Sequence, residues 1–138
     1  MSHAIEIKVR GYHLDLFRHV NNARYLEFLE EARWNFLESK GNLEFLEESG
    51  YAFAVVNINI NYRRAAYMGE TLDITTSVKS IGNRSCVMRQ LVTLKGSATV
   101  VADADVIFVI VDTRTEKSAL LEGELRAALE RMAAAGPA

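Results

Sequence analysis

One long helical stretch, followed by a nearly unbroken series of strand-like segments, restricts what this chain can fold into more than any other feature. Between about Asn22 and Ser39, Tyr25, Phe28, Leu29, Ala32 and Phe36 fall at i, i+3, i+4, i+7 and i+11, the spacing of a single apolar helical stripe. Leu26, Trp34 and Leu37 widen that stripe until the helix is predicted to be apolar over most of its circumference. Glu27, Glu30, Glu31 and Glu38 mark the solvated remainder. A helix of that character must be buried against something. Gly41 and Gly50 bracket a second, shorter helix around Leu43 to Glu48.

The burial partner is written downstream. The segment "FAVVNININYRR" (53 to 64) alternates Val56, Ile58, Ile60 and Tyr62 against Asn57, Asn59 and Asn61. "TLDITTSVKS" (71 to 80) alternates Leu72, Ile74, Thr76 and Val78 against Asp73, Thr75, Ser77 and Lys79. Gly82-Asn83 and Gly96-Ser97 supply turns that connect two further strands, "SCVMRQLVTLK" and "TVVADADVIFVIVD". A short opening strand over 4 to 10 and a closing helix near Glu122 to Ala134 complete the pattern. Short turns between consecutive strands predict antiparallel hairpins, and one buried helix requires a curved sheet to wrap it. The fold class is α+β.

Composition removes several functional classes. At 138 residues, one domain over 1–138 can bury a core without disulfides or metals. A formal net charge of −2 offers no polybasic face for nucleic acid or a membrane surface. "VIFVIV" at 106 to 111 is too short to span a bilayer, and charges interrupt the N-terminal stretch where a signal peptide would be apolar. A lone cysteine, Cys86, fits a reducing cytoplasm and reads as a small core residue.

Chemistry concentrates in "GYHLDLFRHVNNARYLEFLEEAR", where His13, Asp15 and His19 precede the helix and Asn21 and Asn22 stand at the join. Three readings compete. Two histidines and an aspartate are zinc-ligand types, but their i, i+2, i+6 spacing matches no compact zinc motif. Alternatively, Asp15 lies beside a helix N-terminus, whose unpaired N–H groups and partial positive charge stabilise an oxyanion. A carboxylate near such donors is minimal equipment for attacking an activated carbonyl. Finally, Asp15 can simply cap a turn. The residues alone leave the last two readings open.

The stretch "VRGYHLDLFRHVNNARYLEFLEEAR" resembles the signature of the hotdog-fold acyl-CoA thioesterases, in the branch that includes 4-hydroxybenzoyl-CoA thioesterase. That signature is an aspartate, three spacers, H-V-N-N-x-x-Y and an acidic helix. "VVNININYRR", "GETLDITT", "ADADVIFVIVD" and "ELRAALE" resemble the same family, and more narrowly the bacterial long-chain acyl-CoA thioesterases of the thioesterase III type. The resemblance implies a hotdog fold, an antiparallel sheet wrapped around one central helix. It implies Asp15 as nucleophile or general base and the backbone N–H near Asn22 as the donor that polarises the thioester carbonyl. Asn22 stands where some relatives carry histidine, so a histidine-assisted variant is not expected. His19 and His13 are auxiliary candidates. Some hotdog relatives use a glutamate within the central helix, for which Glu27, Glu30 and Glu31 are the candidates. The implied substrate is a long-chain acyl-CoA, with Arg84, Ser85, Arg63 and Arg64 as candidates for its CoA portion. No cofactor and no metal are implied, since thiolate is a good leaving group. The implied assembly is a homodimer, pairing further into a homotetramer, with the site at the subunit junction. Two rivals share the fold: an enoyl-CoA hydratase, which pairs aspartate with histidine at a spacing one residue longer than Asp15 to His19, and a non-catalytic acyl-CoA-binding module.

Overall fold

Asn21 starts the long helix. Its Oδ1 accepts the Ala23 N–H at 3.0 Å, satisfying one of the donors a helix N-terminus leaves unpaired, and helix α1 then runs Asn22–Ser39. In the computed structural model, which describes residues 2–40 and 42–134, Tyr25, Phe28, Leu29, Ala32 and Phe36 are buried as the stripe predicts, together with Leu37. Burial of each large side chain contributes about 1.5–3 kcal/mol. The wider wrapping does not occur. Leu26 is 40% and Trp34 47% exposed, because the sheet packs against one side of the helix only. Helix α2 spans Asn42–Ser49 and ends at Gly50, whose φ of +78° suits glycine; Gly41 lies outside the described residues.

Five strands form an antiparallel sheet: β1 (Ser2–Lys8), β2 (Tyr51–Tyr62), β3 (Thr71–Ile81), β4 (Ser85–Leu94) and β5 (Val100–Asp112). A two-residue β6 (Lys117–Ser118) adds to β5, and helix α3 (Gly123–Ala134) follows. Leu72, Ile74 and Thr76 of β3 are buried at every second position, as their alternation requires. The curled sheet around α1 is the hotdog arrangement.

The expected run of four strands joined as consecutive hairpins is corrected at β2. Spatial order is β1-β3-β4-β5-β2, so β2 pairs with β5 and not with β3. The segment 63–70 therefore crosses beneath the start of α1. It is pinned by Arg63 N–H to Val101 O at 2.8 Å, Val20 N–H to Ala66 O at 2.9 Å and Val9 N–H to Glu70 O at 2.8 Å. A second correction concerns phase. The register of β2 against β5 shifts between Val55 and Asn57, a bulge that turns Val56 out to 58% exposure and moves it off the face shared by Ile58, Ile60 and Tyr62.

Two apolar clusters divide the core along α1. One joins Tyr25, Phe28, Leu29 and Ala32 to Leu72, Ile74, Val92 and Ala104; the other joins Phe36 and Leu37 to Met88, Val106, Phe108, Leu129 and Met132. Cys86 belongs to the second, and burial pushes its thiol up to about 11, so it stays a protonated core residue.

Candidate active site at the amino end of the long helix

The loop that carries Asp15 is built around a buried histidine. His13 Nδ1 accepts the Arg10 N–H at 2.9 Å, its carbonyl accepts the Asn21 N–H at 2.9 Å, and its ring meets Phe28 edge-on with centroids 4.9 Å apart. Burial, reinforced by the Arg24 charge, holds the imidazole below its ordinary pKa. His13 thus fixes the loop and does not line the cavity that holds Asp15.

Beyond His13 the chain makes a tight reversal. Asp15 N–H donates to His19 O and Arg18 N–H donates to Asp15 O, both at 3.0 Å, with Arg18 in the left-handed region at φ +67°. Asp15 Oδ1 accepts the Phe17 N–H at 2.9 Å, which orients the carboxylate. The other oxygen, Oδ2, lies 3.8 Å from His19 Nδ1, and the side chain retains 25% exposure.

Asp15, His19 and Asn22 line one cavity of about 330 Å³, together with Tyr25, Tyr62 and Arg63. Because Asn21 caps Ala23, the Asn22 N–H has no acceptor among the described residues. A donor at the positive end of an 18-residue helix is therefore available to an oxygen in the cavity. The site brings a carboxylate with one uncommitted oxygen and an unpaired amide into one space. That pair can bind a carbonyl oxygen and deliver a nucleophile to its carbon.

The other sequence-predicted residues fall elsewhere or are engaged. Arg63 Nε donates to Asp103 Oδ2 at 2.8 Å, and this hydrogen bond holds the Asp103 carboxyl below its usual range. Arg64 makes a two-pronged contact with Glu70 at 3.0 and 2.9 Å, lowering Glu70 likewise. Arg84 follows the β3–β4 turn and donates to Ser118 O at 3.1 Å; neither it nor Ser85, which opens β4, lines the cavity. Glu27, Glu30 and Glu31 lie exposed on α1, with Glu27 2.8 Å from Arg24.

Two tyrosines complete the cavity and were not among the sequence candidates. Tyr62 OH donates to Asn22 O at 3.1 Å, and the Tyr25 and Tyr62 rings meet at 5.4 Å. Burial pushes the Tyr25 phenol up to about 12. The alternation of β2 already placed Tyr62 on the face of Ile58 and Ile60, which is the signal that finds it.

The model of the Thioesterase-like superfamily matches residues 9–129. The chain belongs to that superfamily. It is 52% identical over 127 residues to the long-chain acyl-CoA thioesterase FadM of Escherichia coli, covering 92% of this chain and 96% of that protein. The crystal structure of YbaW, a probable thioesterase from Escherichia coli, superposes with a TM-score of 0.91 at 51% identity, over 94% of this chain and 98% of that one. A Staphylococcus aureus protein solved in complex with CoA, SAV2348, shares the fold at a TM-score of 0.84 and 14% identity, over 96% and 84% of the two chains. This thioesterase-like chain is thus an enzyme of thioester hydrolysis. Among its described residues, no helix is long and apolar enough to cross a membrane.

Proposed function

We propose that the protein hydrolyses long-chain acyl-CoA to free fatty acid and CoA, with Asp15 as nucleophile or general base and the Asn22 N–H as the donor to the thioester carbonyl. The observation that carries this reading is the shared cavity of Asp15 Oδ2 and the unpaired Asn22 amide. The carbonyl oxygen accepts from Asn22, whose position at the helix start stabilises the negative charge that develops there. Asp15 either attacks the carbonyl carbon or takes a proton from the water that does. If Asp15 attacks, its oxygen forms the bond to carbon as the C–S bond breaks, and water then hydrolyses the acyl–Asp15 anhydride. If Asp15 acts as base, water forms the C–O bond directly. In both, the electron pair of the C–S bond leaves on sulfur as thiolate. His19 stands beside the carboxylate as an auxiliary residue, its Nδ1 3.8 Å from Asp15 Oδ2. FadM is itself a long-chain acyl-CoA thioesterase, and Trp34 and Leu37 on the second half of α1 line a largely apolar cavity suited to an aliphatic chain.

The decisive experiment is thiol release from acyl-CoAs of increasing chain length. Release that rises with chain length supports the assignment. Consumption of the double bond of an enoyl-CoA without CoA release would instead assign a hydratase.

The working unit in this reading is a dimer. Strand β2 is an edge of the sheet, with Val55 and Val56 44% and 58% exposed, and an unpaired edge of that length invites strand addition. An antiparallel two-fold contact along β2 would set the Tyr51 end of one strand opposite the Tyr62 end of its partner, closing the cavity between subunits. Light scattering at micromolar concentration is expected to give a dimer or a dimer of dimers; a fully active monomer would refute the shared site.

A further inference from the structure

Glu70, the second residue of "GETLDITT", does not line the cavity that holds Asp15, yet its carboxylate is engaged three times. Arg64 Nη1 and Nη2 donate to its two oxygens at 3.0 and 2.9 Å, and the Tyr67 N–H donates to Oε1 at 2.7 Å. Gly69, at φ +89°, makes the reversal that folds this side chain back onto Tyr67. The turn is anchored from its other side at the exit of β1. Gly69 N–H donates to Val9 O at 2.9 Å, and Val9 N–H donates to Glu70 O at 2.8 Å. Glu70 therefore ties a fixed point beside β1 to the middle of the crossing segment.

What rests on Tyr67 is the site itself. His19 and Tyr67 pair in an isolated antiparallel bridge, and Val20 N–H donates to Ala66 O at 2.9 Å. His19 O in turn accepts the Asp15 N–H at 3.0 Å, while Asn21, next after Val20, caps the helix that opens at Asn22. Side chains follow the same path. The Arg64 guanidinium stands 5.7 Å from the centre of the Tyr67 ring, and that ring meets His19 edge-on at 6.5 Å. Ala66 is buried, but Tyr67 and Met68 are 49% and 64% exposed, so packing leaves this side of the contact to its polar bonds.

We propose that Glu70 is a positioning residue for thioester hydrolysis: by holding Tyr67 it fixes residues 19–22, and with them the spacing between the Asp15 carboxylate and the Asn22 N–H. The inference rests on the roles given above to Asp15 and Asn22. Arg64 belongs to the same device, its fork spent on Glu70. A misplacement of about 1 Å between reacting groups costs up to about 10²-fold in rate, so a clamp outside the cavity governs turnover.

Three variants separate geometry from charge. Glu70→Ala removes both the acceptor and the fork; kcat is expected to fall about tenfold or more, with KM within about twofold of native. Glu70→Asp keeps the charge but is one methylene short, and should fall as far. Glu70→Gln still offers an oxygen to the Tyr67 N–H, and should hold kcat within about threefold of native. Amide hydrogen exchange in the same proteins is independent of turnover. In Glu70→Ala the Asp15 and Val20 amides should exchange about tenfold faster, the range of a lost charge-assisted hydrogen bond. The amides of Ala119 and Leu121, bonded to Ile110 O and Asn83 O toward the far end of β5, should keep their native rates, whereas a general loss of stability speeds all four. Native kcat in Glu70→Ala, recovery by aspartate but not by glutamine, or equal acceleration of all four amides would overturn the proposal. A native protein that releases no thiol would refute the thioesterase reading instead, and the exchange pattern would still decide whether Glu70 holds the loop.

Discussion

The two ends of α1 are built from the same helix and do opposite things. At the amino end, hydrogen bonding is deliberately left incomplete: Asn21 caps Ala23, the Asn22 amide stays open, and Asp15 keeps one oxygen uncommitted. Polar side chains and the positive end of the helix dipole converge there. Toward the carboxyl end, Phe36 and Leu37 enter an apolar cluster, and the cavity beside them is walled mostly by hydrocarbon, with Glu30, Arg33 and Glu47 also in its lining. A single helix thereby separates a polar end from an apolar one. The difference teaches that open polar groups come from helix termination, whereas apolar volume comes from helix packing.

Asp15→Asn breaks the comparison most severely. The asparagine Oδ1 can still accept the Phe17 N–H, so the reversal at 15–18 and the melting temperature should persist. Loss of a group acting as nucleophile or base lowers kcat by on the order of 10²-fold or more. Near-native thiol release by this variant would remove Asp15 from the mechanism and turn attention to Glu27, Glu30 and Glu31.

Gln90→Leu tests what joins the two ends. Gln90 bridges α1 at Leu29, β3 at Thr76 and the cavity arginine. Leucine fills a similar volume but leaves the buried Thr76 hydroxyl without that partner and frees Arg33. Urea unfolding should register a loss of about 2 kcal/mol or more. An unchanged midpoint would mean that the network neither stabilises the fold nor fixes Arg33.

Tyr62→Phe sharpens the reactive end alone. It deletes one hydrogen bond, from a half-exposed phenol to Asn22 O, at the first residue of the helix. A bond of that kind is worth about 1 kcal/mol of stability, so the unfolding midpoint should fall slightly, and kcat/KM should fall by up to roughly fivefold where the bond fixes the helix start. If kcat/KM is unaffected, the tyrosine serves the cavity wall only.

How much of this was legible in the sequence depends on which interactions are local. The stripe from Tyr25 to Phe36 and the alternation of Leu72, Ile74 and Thr76 are periodicities, and both hold in the fold. The meeting of Asp15 with Asn22 was legible because seven residues of loop leave little freedom, and the motif's resemblance reinforced it. The bulge at Val56 was not, since an extra residue in a strand leaves the letters of "VVNININ" unchanged and alters only their phase. The crossing of 63–70 was also hidden, because a connection of that length can return as a hairpin loop or cross to the other edge. Arg63 and Arg64 were expected at phosphates; their partners Asp103 and Glu70 are supplied by β5 and by the crossing itself. Leu26 and Trp34 were expected inside, and one-sided packing leaves them half-exposed.

His13 gives the smallest effect and the clearest sign. Buried beneath the loop, its imidazole sits below the ordinary value of 6.5, chiefly because burial penalises the charged form, with Arg24 adding repulsion and Glu27 opposing it. In the unfolded chain the same ring titrates near 6.5, so below that pH the unfolded state binds a proton that the folded state resists. Stability is therefore complete above 6.5 and is lost as pH falls from there toward the lower native value. The carboxyls of Glu70, Asp103 and Asp112 are held below their usual range by Arg64, Arg63 and Arg114, so their own losses come at more acid pH. Urea midpoints at pH 8 and pH 5.5 should show the native protein weaker at the lower value. His13→Asn keeps an acceptor for the Arg10 N–H but cannot take up a proton, and the difference between the two pH values should shrink. Because the His13 carbonyl also holds the Asn21 N–H, the same acid weakening should loosen the loop that presents Asp15, and thiol release should decline over the same interval in the native protein more than in the variant. Identical pH slopes for the two proteins would show that the buried ring does not tie the reactive end of α1 to pH.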